Sequence, residues 1–173
     1  MEYRSNHSVS RSKPIKLTTL ISAAFISVFF GISTLFAQPV STGFWGNTAI
    51  GGHDATAYYK TNNIGRTPTE KGQSLYTVLW KGAEWHFASQ ASADKFLASP
   101  EAYVPKYNGH CANALSLGEG LISTNGKVWE FFGDELHLFF AERGRQRWLK
   151  GDWKSFQKEA NLAWSQEINS AIN

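Results

Sequence analysis

Cys111 is the only cysteine in 173 residues. No intrachain disulfide can staple such a chain, so its fold has to be held by buried apolar surface. The sequence supplies that surface in seven Trp, twelve Phe and six Tyr, each ring burying a large area when enclosed. All seven Trp, and every Tyr except Tyr3, lie beyond residue 37.

The first 37 residues have a different character. Arg4, Arg11, Lys13 and Lys16 precede an uncharged run from Leu17 to Ala37, which is the charged-then-apolar order of a secretory signal. Leu35-Phe36-Ala37 before Gln38 puts a small residue at the cut. Residues 1–37 are therefore read as a signal peptide and residues 38–173 as the mature domain, periplasmic or secreted. The competing reading is an uncleaved membrane anchor, since roughly 18 apolar residues can span a bilayer. Six Ser and Thr residues between Thr18 and Thr34 dilute the run and favour removal. Membrane contact is expected only if the segment stays. The same segment carries the net charge: without it, 13 bases face 13 acids. No basic patch remains to argue for nucleic acid.

Within the mature part, residues 38–51 read as an extended entry segment. His53–Tyr59 fits either a strand or one helical turn. Asn62, Asn63, Gly65, Pro68 and Gly72 mark a polar loop. Leu75–Trp80 and Glu84–Ala88, rich in aromatic and β-branched residues, predict a hairpin about Lys81-Gly82-Ala83. Ser89 predicts the N-cap of a helix through Phe96, and Ser99-Pro100-Glu101 a second helical start ended by Pro105. Tyr107–Leu115 reads as a turn running into a helix closed by Gly118 and Gly120. Val128–Phe132 and Leu136–Phe140 form a second hairpin about Gly133-Asp134. Asp152 heads a last helix with Trp153, Phe156, Ala160, Ala163 and Trp164 near one face. The expected class is α+β: a small antiparallel sheet from two hairpins, packed with several short helices and a C-terminal amphipathic helix.

Several of these strings, in this order, resemble the YHS domain, most closely its exported, stand-alone bacterial members. They are His53-Asp54-Ala55-Thr56-Ala57-Tyr58-Tyr59, Trp80 to Ser89, Phe96, and Ser99 to Ala112 with its Pro105-x-Tyr107-x-Gly109-x-Cys111-Ala112 element. Trp85 stands at the family's Tyr position, with His86 and Ser89 at the other two. The resemblance covers nearly all of the mature chain, to the Trp-containing helix around Trp164. It implies a small α+β domain, and, because family members occur beside or inside copper transporters, metal binding. Cysteine-bearing members have a Cys between the Phe and Ser of the hairpin; this chain has Ala88, so one thiol of a two-thiol site is missing.

Five side chains are candidate metal ligands: Cys111, His110, His53, His86 and His137. Cys111 follows Gly109-His110 at a predicted helix start, where unpaired N–H groups stabilise a thiolate; the alternative is a buried small hydrophobe. His110 adjoins it, but consecutive helical side chains diverge by about 100°, which leaves His110 as a surface residue bonded to a loop unless the backbone is irregular. His53 precedes Asp54, which either orients the imidazole or caps the next turn, the favoured reading. His86 and His137 alternate with apolar neighbours in strands and share a face only if both hairpins join one sheet. Three functions follow. One is an exported module binding copper or another transition metal through Cys111 and histidines, since thiolate and imidazole suit Cu(I) and Zn. Another is a structural or interaction module with an inert Cys111. The third, less favoured, is a thiol enzyme with Cys111 as nucleophile; no C-x-x-C accompanies it. The expected partner is a metal ion or a metal-handling protein. No haem, for which C-x-x-C-H is missing, and no nucleotide is expected.

Overall fold

Two tight turns and one buried carboxylate decide how this chain doubles back on itself. The computed structural model describes residues 39–43, 46–60 and 70–172, and all of these fall in one compact unit. The signal or anchor segment of residues 1–37 and residues 61–69 of the polar loop lie outside the described residues. No helix among the described residues is long and apolar enough to cross a membrane.

Strands β1 (Gln73–Trp80) and β2 (Ala83–Phe87) pair antiparallel. The turn between them, Lys81-Gly82, has positive φ at both residues, the pattern of a type I′ turn, whose twist matches the strands. On β2, Ala83, Trp85 and Phe87 are buried while Glu84 and His86 face the other way, as strand alternation requires. Helix α1 (Gln90–Ala98) follows at once because the Ser89 hydroxyl accepts the Ser92 N–H at 3.1 Å. It sets Phe96 against Trp85, ring centroids 5.1 Å apart. Pro100–Ala102 is only a 3-10 turn, with Pro at its first position. Helix α2 (Ala112–Ser116) is a single short segment.

Strands β3 (Val128–Phe132) and β4 (Glu135–Phe139) form the second hairpin. Helices α3 (Glu142–Lys150) and α4 (Trp153–Ile172) complete the order. Asp152 caps α4 as its position suggests, accepting the Ser155 N–H at 3.2 Å. The sequence reading has no α3, because Glu142 to Arg147 are polar or Gly and give no apolar period. What holds α3 is a buried ion pair: Arg145 Nη2 and Nε donate to Glu130 Oε2 on β3 at 2.6 and 3.1 Å.

The α+β class stands, with one difference of layout: the hairpins form two separate two-stranded sheets instead of sharing one. Irregular segments take up strand edges that could have joined. Asn47 to Ala49 runs along β2, with Ala49 N–H donating to Glu84 O and Glu84 N–H to Asn47 O. Cys111 bridges to Leu138 on β4. Covered edges do not seek further strands. The entry segment is likewise not simply extended: Thr42 pairs with Ala49 and Ile50–Gly52 forms a 3-10 turn. His53–Tyr59, left open between strand and turn, contains the 3-10 turn Ala57–Tyr59.

Two aromatic clusters make the core. One joins Trp85, Phe87 and Phe96 to Ile50, Tyr58 and Trp129. The other joins Phe132, Phe139 and Trp148 to Leu115 of α2 and Ala160 of α4. Asp54 fastens the first. Fully buried, its Oδ1 accepts both the N–H and the hydroxyl of Thr56 at 2.8 Å, and its Oδ2 accepts the Ala88 N–H at 3.0 Å. Asp54 thus closes the turn onto Thr56, the N-cap of the 3-10 turn, which itself has no side-chain cap bond, and the same carboxylate ties the entry segment to the end of β2. Asp54→Ala leaves buried N–H donors unsatisfied, at about 1–3 kcal/mol each. We expect a loss of roughly 3 kcal/mol in denaturant unfolding, with Asp54→Asn losing less; an Asp54→Ala midpoint equal to wild type would contradict this role.

Candidate functional site

His86 occupies the outward face of β2 with Glu84 two residues before it. Its Nε2 stands 3.8 Å from Glu84 Oε2, and 17% of its side chain remains exposed. The Nδ1 edge of the ring faces Gly52. The other walls come from backbone. Gly72 lies so close to the His86 peptide that a Cβ there would overlap the carbonyl, and its N–H donates to Gly52 O at 2.9 Å. His53 and Lys71 pair beside it. Together these segments enclose an open pocket of about 530 Å³ whose lining includes His86, Lys71, Thr48, Gly51, Gly52 and Gly72.

The other four candidate ligands lie inside the protein. Cys111 is 4% exposed, and its Sγ accepts the Phe140 N–H at 3.3 Å. The residue stands at the N-cap of α2 but makes no side-chain cap there. A narrow cavity of about 120 Å³ adjoins it. The alternative of a buried small hydrophobe describes this environment. His110 is also buried, a correction to the expected surface position. Its loop hydrogen bond is present, Nδ1–H donating to Tyr107 O at 3.0 Å. Burial lowers its pKa, opposed by that bond and by Glu167.

The irregular backbone before Cys111 is real: Tyr107 and Asn108 have φ of 56° and 48°, a region costing non-glycine residues roughly 1–2 kcal/mol each. Several hydrogen bonds hold it there. Ser41 N–H donates to Asn108 O, Thr124 Oγ1 to Gly109 O, and Tyr107 Oη to Asn161 Oδ1. This strain has a structural use, since it seats His110 and the Tyr107 ring beside Trp164 of α4.

His137 is fully buried because β4 is covered on both faces, one by the core and the other by Trp148 and Gln157 of the last two helices. Its Nδ1–H donates to Glu135 O at 2.9 Å. Burial pushes its pKa down to about 4, the hydrogen bond and Glu135 acting the other way. His53 is buried, its ring packed near Gly126. Because the hairpins do not share a sheet, His86 and His137 do not share a face. Among the described residues, no group of three or more His, Cys, Asp or Glu side chains is placed to hold a metal ion. Cys111 and two histidines therefore do not converge on one point among the described residues, whereas His86 Nε2 and Glu84 Oε2 stand 3.8 Å apart.

Lys71, Glu84 and the glycine walls are not among the site residues that the sequence singles out. Glu84 was legible: two residues before His86 on a strand, it has to share that face. Lys71 was not, because it sits in a loop whose path depends on Gly72 packing against a distant strand.

Below the ordinary histidine value of about 6.5, an unfolded chain gains a proton that folded His137 refuses until about pH 4. Stability should be at its full value above that range and fall as pH drops through it, by up to about 3 kcal/mol from this residue. Unfolding free energies between pH 7 and 4.5 should show the loss, and His137→Phe should flatten it. A His137 ring signal titrating near 6.5 by NMR would contradict it.

Residues 64–107 match the family model of the YHS domain. The matched segment contains β1, β2, α1 and the turn through Tyr107. It includes His86 and excludes His53, His110, Cys111 and His137. No curated protein and no solved structure matches the chain.

Proposed function

From a chain that carries a YHS domain at residues 64–107, we propose a small binding module, working outside the cytoplasm, that takes a transition-metal ion at His86 and Glu84. The family fits a metal-binding role in general. The observation that carries the finer reading is the position of His86: it alone of the five candidate ligands lies in the family segment and opens onto a pocket, with a carboxylate 3.8 Å from its Nε2. Imidazole with carboxylate suits Cu(II) or Zn(II) better than Cu(I), which favours thiolate. Two protein donors leave further coordination positions for water, a small ligand or a metal-handling partner. Cys111 is a packing residue in this reading, with its sulfur engaged by Phe140 N–H. Export rests on the charged and apolar order of residues 1–37.

Titration of the full chain with Cu(II) and Zn(II) tests this. One-to-one binding should be lost in His86→Ala, weaken about tenfold in Glu84→Gln, and persist in Cys111→Ser. Binding that collapses in Cys111→Ser and survives His86→Ala would return the site to the thiol. No binding by wild type would leave an interaction module with an inert cysteine.

A further inference from the structure

The pocket beside His86 has a second character that the metal reading does not use. Five of the eight described residues that line it are glycines, and among the described lining residues only Lys71 and His86 can carry charge, both of them positive. The Lys71 ammonium is held at the rim by donating to Gly51 O, one of its three donors. Among the described residues no carboxylate lies within ion-pair distance of it. The histidine divides its two nitrogens: Nε2 toward Glu84, Nδ1 toward Gly52 on the pocket side. The volume, about 530 Å³, lies in the range of small-molecule sites, and the described residues that line it include no large apolar side chain.

Much of the wall cannot be built from other residues. Gly51 has a φ of 62°, and a Cβ there would lie 2.5 Å from Asn125 O; Gly72 admits none for the reason given above. Gly46 differs, since a Cβ there meets nothing within 4 Å. The bareness at Gly46 is therefore space and not packing.

We propose that this pocket binds a small organic anion, its carboxylate or phosphate group on Lys71 and the Nδ1 edge of His86, with the rest of the molecule along the glycine walls. An ammonium acts as a point charge for either oxyanion. The site needs no metal, and its decisive residue, Lys71, is not a metal donor.

The test is NMR titration of the metal-stripped full chain with succinate, glycerol phosphate and inorganic phosphate in turn. Saturable shifts should centre on the amides of Gly51, Gly52 and Gly72. Binding of the preferred anion should be about tenfold weaker in Lys71→Gln, the order expected for one charge-assisted hydrogen bond, and retained in Lys71→Arg. Gly46→Leu, whose Cβ meets no described atom within 4 Å, adds apolar bulk beside the pocket and should weaken binding while leaving the rest of the spectrum in place. Preference for succinate or for glycerol phosphate identifies the group; inorganic phosphate binding as well as either would overturn the organic part of the proposal. Absence of saturable shifts with all three, or shifts unchanged in both Lys71→Gln and Gly46→Leu, would overturn it entirely.

Discussion

The Asp54 carboxylate is the interaction on which the rest of this arrangement depends. It accepts from Thr56 on one side and from Ala88 on the other, so the entry segment cannot move away from the end of β2. With that distance set, Gly52 meets Gly72, Gly72 lies on the His86 peptide, and the pocket wall closes. A buried carboxylate is unfavourable unless its oxygens are bonded; here three donors meet it. Ala88 contributes through its backbone N–H. The residue at the position where cysteine-bearing YHS members hold a thiol thus serves in this chain as part of the scaffold under His86.

The same physics separates the candidate histidines and the thiol into two kinds. His137, His110 and Cys111 are enclosed by aromatic rings and helices, and each has a hydrogen bond to backbone. Burial makes the charged form of His137 and of His110 costly, which suits a neutral, packed ring. His86 faces out from the hairpin onto a pocket whose described lining is five glycines with Thr48 and Lys71. Chemistry that needs access to an incoming ion or molecule is available there, and the buried groups are placed to stabilise the second aromatic cluster.

Local signals in the sequence were readable wherever a local rule governs. Lys81-Gly82 and Gly133-Asp134 specify tight hairpins, Ser89 and Asp152 specify helix starts, and strand alternation turns His86 away from Trp85 and Phe87. Features set by distant contacts were not readable. Helix α3 is held by an ion pair to β3 that no periodicity announces. The two hairpins stay apart because irregular segments occupy strand edges. His137 is buried because Trp148 of α3 and Gln157 of α4, beyond the hairpin in sequence, cover its face. The candidate site was half legible: His86 belongs to the recognisable hairpin, while Lys71 and the glycines converge on it only through the fold.

The most direct measurement is paramagnetic broadening of the histidine ring signals by substoichiometric Cu(II) in the full chain. His86 should broaden first, together with the amides of Glu84 and Gly52, while His110 and His137 stay sharp. Broadening that begins at His110 and the Cys111 amide, with His86 unaffected, would contradict the assignment of the accessible chemistry to the His86 pocket.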